Sequence, residues 1–160
     1  MRISPVIKGL ITAAVMIAAS FIIDNFKDSV NPRIQYLVYA IYAGGIIWTL
    51  TGFMKSPEYN GSFGGLFSQG FKCFIVVTLL MVAFTAIFIK THPEFAEQEA
   101  QATKEYYMQK ADKTPQEIEE LTNKAKKQYP VIVISISIFR YLIIGAGLTA
   151  AASALLRRRR

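Results

Sequence analysis

Four stretches of the chain approach or exceed the roughly 18 consecutive apolar residues that mark a membrane-crossing helix, and no other feature restricts the fold as much. They cover residues 9–23 (GLITAAVMIAASFII), 34–54 (IQYLVYAIYAGGIIWTLTGFM), 73–89 (CFIVVTLLMVAFTAIFI) and 131–156, and only the last contains a charged residue, Arg140. Hydrocarbon offers no partner to backbone N–H and C=O groups, so a segment of this kind closes its own hydrogen bonds as a helix. In a chain of 160 residues, 52% of them hydrophobic, this predicts one all-α integral membrane domain with four transmembrane helices. The expected spans are residues 6–24, 34–54, 72–90 and 131–156.

Flanking residues refine each span. The first run follows Arg2 and Lys8 and holds Ala18, Ala19 and Ser20, a pattern shared with secretory signals. Phe21, Ile22 and Ile23 prolong the apolar stretch past that point, which favours an uncleaved helix. The second run follows the break at Asn31-Pro32, and Tyr36, Tyr39, Tyr42, Trp48 and Phe53 suit an aromatic belt or helix contacts. Ala40 with Gly44, and Gly45 with Thr49, are small pairs four residues apart that let another helix approach. Lys72 and Lys90 bracket the third run at a rise of about 28 Å, near the hydrocarbon thickness, and mark its two interfaces by snorkelling. Ahead of it, Phe63, Leu66, Phe67, Gly70 and Phe71 share a helical face, so residues 62–71 are expected to form an amphipathic lead-in at the membrane surface. In the fourth run Gly145, Thr149 and Ser153 lie on one face suited to tight helix packing rather than to lipid.

Between the third and fourth runs, residues 91–129 turn polar and charged, with two helix-start signals. Thr91 with Glu94 and Thr114 with Glu117 fit the capping box, and Pro115 takes the first helical position after the second. Phe95, Ala102 and Tyr106 would line one helix, and Ile118, Leu121, Ala125 and Tyr129 the other. Such narrow stripes predict an extramembrane helical hairpin.

Four spans put both termini on one side. That side would carry Arg2, Lys8, Lys55, Lys72 and the arginines of residues 157–160 against one acid, Glu58. Basic residues close to span ends decide orientation, which places both termini in the cytoplasm and the hairpin outside. The net charge of +7 then belongs to span flanks rather than to a nucleic-acid surface. Chemistry is sparse. With one Cys and one His no zinc set can be assembled, His92 beside Pro93 reads as a cap-region residue, and Cys73 reads as packing in an apolar span. No catalytic constellation, metal site or cofactor is expected.

The order of segments resembles a family. A first helix, a second helix rich in small residues, the entry SFGGLFSQGFK with Phe67, Gly70, Phe71 and Lys72, an HPEF start to an acidic hairpin containing TPQEIEE, and a last helix with a basic tail are similar to a membrane-protein family of Bacteroidota, domain of unknown function 4199. That resemblance implies a multi-pass protein of a bacterial inner (cytoplasmic) membrane and carries no activity. Two function classes stay open. An accessory or assembly subunit would use its small-residue faces and hairpin to hold another membrane protein or copies of itself in the lipid bilayer. A transporter or channel component would need ionisable groups or broken helices near the bilayer centre, which these spans lack. Arg140 has two readings as well: a snorkelling anchor about 5 Å inside the outer boundary, or one half of a pair with Asp24 that latches the helices or holds a lipid headgroup.

Overall fold

The computed structural model describes residues 3–25 and 36–157 and folds them into five α-helices: α1 (Pro5–Asn25), α2 (Tyr36–Met54), α3 (Phe63–Thr91), α4 (Glu94–Lys110) and α5 (Pro115–Arg157). The break at Asn31-Pro32 and the charges Arg2, Lys27, Arg33 and residues 158–160 lie outside the described residues. Among the described residues there is no strand, and α1, α2, α3 and α5 are each long and apolar enough to cross a membrane. The protein is an all-α integral membrane protein. At most a third of each apolar window is buried inside the chain, and only 17% of that of α5. Leu79, Val131, Phe139 and Ile143 accordingly turn outward, a surface that lipid covers.

Two helices run further than the sequence signals suggest. α3 contains 29 residues and α5 contains 43, so they rise about 43 and 65 Å against a hydrocarbon layer of about 30 Å, and only part of each lies in lipid. The expected lead-in is continuous with α3. Ser62 caps it, accepting the Gly65 N–H at 3.1 Å, and Gly61 makes the preceding turn at φ 78. Leu66 and Gly70, in the lead-in, are buried whereas Gly64 and Ser68 are exposed, so one face of this segment packs against the bundle. Pro130 sits inside α5 without ending it. Proline forfeits one N–H, but the preceding Lys127, Gln128 and Tyr129 offer no side chain able to cap a new helix, so continuing costs less than restarting.

The chain divides into two compact units, Met1–Met81 with Phe139–Arg160, and Val82–Ile138. In the first, a helix bundle, the core is built from Met16, Tyr42, Ile46, Leu50, Leu66 and Val77. In the second, the hairpin, α4 buries Ala96 and Ala100, and α5 buries Ile118. The contact face of α4 is thus rotated from the expected Phe95, Ala102 and Tyr106 stripe, of which Ala102 and Tyr106 are exposed. Two alanines let the helix axes come close, which a tyrosine at the same place would prevent. Tyr106 instead turns out beneath the Lys110 ammonium, 4.7 Å from its ring centre.

The hairpin's ends are set by local bonds. Thr114 and Glu117 form the capping box: the Thr114 N–H donates to Glu117 Oε2 at 2.8 Å and the Glu117 N–H to Thr114 Oγ1 at 3.3 Å. The backbone and hydroxyl of Thr114 together hold the Glu117 carboxyl below the usual glutamate range. The other expected box is absent. Thr91 Oγ1 donates back to Ile87 O and Phe88 O as part of α3, and α4 starts at Pro93 with no side-chain cap. His92 stacks on Phe88 with ring centres 4.2 Å apart, and its Nδ1 lies 2.9 Å from Phe88 O at the end of α3.

Candidate functional site

The helix bundle is assembled where side chains are missing. The Thr12 side chain lies against Gly45, Thr149 against Gly70, and the Tyr42 hydroxyl together with the Phe74 ring against Gly145; a Cβ at any of the three glycines would collide with its neighbour. The Tyr42 hydroxyl donates to Tyr141 O at 3.1 Å, tying α2 to α5 through a buried side chain. Gly45, Gly145, Thr149 and Ser153 are therefore all inside the bundle. Thr149 Oγ1 and Ser153 Oγ are buried there without a hydrogen-bond partner.

Ala40 and Gly44 have the opposite placement. Both are exposed, a Cβ at Gly44 would meet nothing within 4 Å, and Leu37 and Ile47 flank them on the outer face of α2. Adjacent glycines of one helix, Gly44 and Gly45, thus serve different surfaces.

Arg140 donates from Nη1 to the Tyr39 hydroxyl at 3.4 Å, and the Tyr39 ring lies 6.4 Å from that of Tyr141. Asp24 lies half-buried in the last turn of α1. The hydrogen bond to Tyr39 was not expected from sequence, although the tyrosines at positions 36, 39 and 42 supplied the chemistry for it.

A second polar feature escaped sequence reasoning altogether. Lys8 is not a free flanking charge: it is 8% exposed, in the first turn of α1, with Nζ 3.2 Å from Trp48 O and 5.1 Å from the centre of the Trp48 ring. It fills the notch left by Gly52, where a Cβ would strike Nζ. Beside it opens a cleft of about 470 Å³ whose wall includes Ser4, Lys55, Ser56, Glu58 and Gln69. The available signal was Trp48 with Gly52, four residues apart: an indole next to a gap on one helix face.

In the hairpin unit a cleft of similar volume, about 470 Å³, runs between Lys104 and Met108 on α4 and Pro115, Ile118, Glu119 and Thr122 on α5. Lys126 Nζ lies 3.0 Å from Glu97 Oε1, an exposed pair that links the two helices. No group of three or more metal-ligating side chains occurs among the described residues.

Comparison with known proteins adds a family and no activity. The family model described as Protein of unknown function (DUF4199) matches residues 6–158. No curated protein and no solved structure matches the chain.

Proposed function

Since the chain belongs to the DUF4199 family of proteins of unknown function, we propose its role from its own surfaces: it is an accessory or assembly subunit that binds other membrane proteins, or copies of itself, within the bilayer. One observation carries this reading. Gly45, Gly145, Thr149 and Ser153 are used inside the bundle, whereas Ala40 and Gly44 face outward with open space above Gly44, a surface shaped to receive one more helix. The hairpin, with Met108 exposed on the wall of its cleft, offers an extramembrane contact to a partner. A transporter would instead call for ionisable groups deep in the bundle; among the described residues the buried charged side chains reduce to Lys8, in the first turn of α1. In keeping with the basic span flanks, the protein is proposed to lie in an inner membrane with both termini cytoplasmic.

The test is a cross-link. With Cys73→Ser as background, Ala40→Cys should give cross-linked adducts in native membranes, while Val15→Cys, on the exposed face of α1, should not. Equal cross-linking at both positions, or ion flux through liposomes containing the pure protein, would favour the other class.

Arg140 enters this reading as an anchor. We propose in addition that it pairs with Asp24 on the outer side, latching α5 to α1. A double-mutant cycle on Asp24→Asn and Arg140→Gln, read as thermal stability in detergent, should show coupling above roughly 0.5 kcal/mol. Additive effects would leave Arg140 a snorkelling side chain held by Tyr39.

A further inference from the structure

An ammonium carries three N–H donors. That of Lys8 spends one on Trp48 O, and no second acceptor and no carboxylate is recorded for it among the described residues. Its positive charge is nevertheless largely removed from solvent, resting on the π face of Trp48 and in the Gly52 notch. A buried charge with open donors is costly unless an anion or ordered water completes it. The neighbouring cleft has the parts for an anion: a second cation in Lys55, the hydroxyls of Ser4 and Ser56, and the Gln69 amide. The first turn of α1 also borders it, so the positive end of that helix adds to the potential.

We propose that this cleft binds a phosphate-bearing group, with Lys8 as its buried ligand and Lys55 and the two serines on its wall. The remaining wall residues narrow the chemistry. Glu58 would repel a doubly charged phosphate and tolerates a singly charged phosphodiester, while Ile3, Trp48 and Phe53 give the cleft an apolar side suited to the chain of an amphiphile. Both properties fit a phospholipid headgroup better than a free phosphate ion. The proposal does not depend on the Ala40 and Gly44 surface, and its test reads a different signal.

Trp48 is the single tryptophan of the chain, so its emission reports on the cleft without a label. The full chain, stripped of lipid in an uncharged detergent, is titrated separately with short-chain phosphatidylglycerol, with the matching diacylglycerol and with inorganic phosphate. A saturable emission change is expected with phosphatidylglycerol and none with diacylglycerol. Lys8→Gln should weaken binding about tenfold or more, and the exposed Lys55→Gln about threefold, while Lys90→Gln at the other end of α3 should leave it unchanged. Gly52→Ala keeps the charge but closes the notch, and should weaken binding as well. Saturation by inorganic phosphate, with the same dependence on Lys8, would keep the site and assign its source to solution. The proposal is overturned if no phosphate probe saturates, or if Lys8→Gln and Lys55→Gln respond like the parent protein. A purely structural Lys8 would show itself through Lys8→Met, which in that case lowers the thermal midpoint without lipid and leaves affinity unchanged; the lipid-site reading expects the midpoint to hold and the affinity to fall.

Discussion

The helix bundle and the hairpin are both helices packed on helices, yet different interactions hold them. In the bundle, helices meet at absent side chains, at Gly45, Gly70 and Gly145, and the hydroxyls of Thr78, Thr149 and Ser153 stay buried without hydrogen-bond partners. In the hairpin they meet over Ala96 and Ala100, and the ends are set by a capping box, a left-handed Ala111 whose N–H donates to Tyr107 O, and an ion pair between Lys126 and Glu97. The environment accounts for the contrast. Outside the membrane water competes for every polar group, so helix ends must be capped and apolar stripes are narrow. Inside it, lipid is as apolar as any side chain, so burial drives little and helices associate through close contact. Steric fit therefore decides the bundle, and local bonding decides the hairpin.

This contrast can be broken most severely at Gly145. Gly145→Val should displace the Tyr42 hydroxyl and the Phe74 ring and cost about 3 kcal/mol, seen as a large fall in the detergent melting temperature of the purified protein. A smaller effect, of opposite sign, is expected at Thr149. Thr149→Val keeps the methyl contact with Gly70 and deletes an orphaned hydroxyl, so the bundle should gain about 1 kcal/mol by the same measurement. A loss there would mean that the hydroxyl has a partner, such as a water.

The hairpin should respond to local bonds instead. Thr114→Ala removes the cap and should cost about 1 kcal/mol of hairpin stability, visible as faster amide exchange in the first turns of α5 with the bundle unchanged. Glu117 links the same cap to pH. Its folded pKa is depressed, so its contribution is complete above the ordinary glutamate value, about 4.3, and is lost as pH falls through the lower folded value. Proteolysis of the hairpin should accelerate across that acidic window in the parent protein and show no such step in Glu117→Gln. Lys126→Gln should cost less than about 0.5 kcal/mol, because both partners of this pair are about half or more exposed, and the cost should shrink further in high salt. Gly44→Val ought to be nearly silent in the melting temperature of the isolated chain while reducing the Ala40→Cys cross-links; a penalty like that of Gly145 would show the two faces of α2 to be equivalent.

The sequence by itself determined the four spans, the polar hairpin between the last two, and the second capping box, because length of apolar run, change of composition and Thr-x-x-Glu spacing are local properties that survive any tertiary arrangement. Thr91 shows the limit even of local signals: it satisfied the same spacing, but its hydroxyl had a nearer use on the carbonyls of α3. The tertiary structure alone decided that Gly45 faces inward and Gly44 outward, that Lys8 is buried on Trp48, and that α4 turns its alanines and not Tyr106 to α5. A membrane helix is apolar nearly all round, so its sequence marks the face toward a neighbour only where small residues repeat, as at Gly145, Thr149 and Ser153, and α2 carries two such pairs, Ala40 with Gly44 and Gly45 with Thr49, on different faces. Only the helix packed against it makes one glycine a contact and the next an opening.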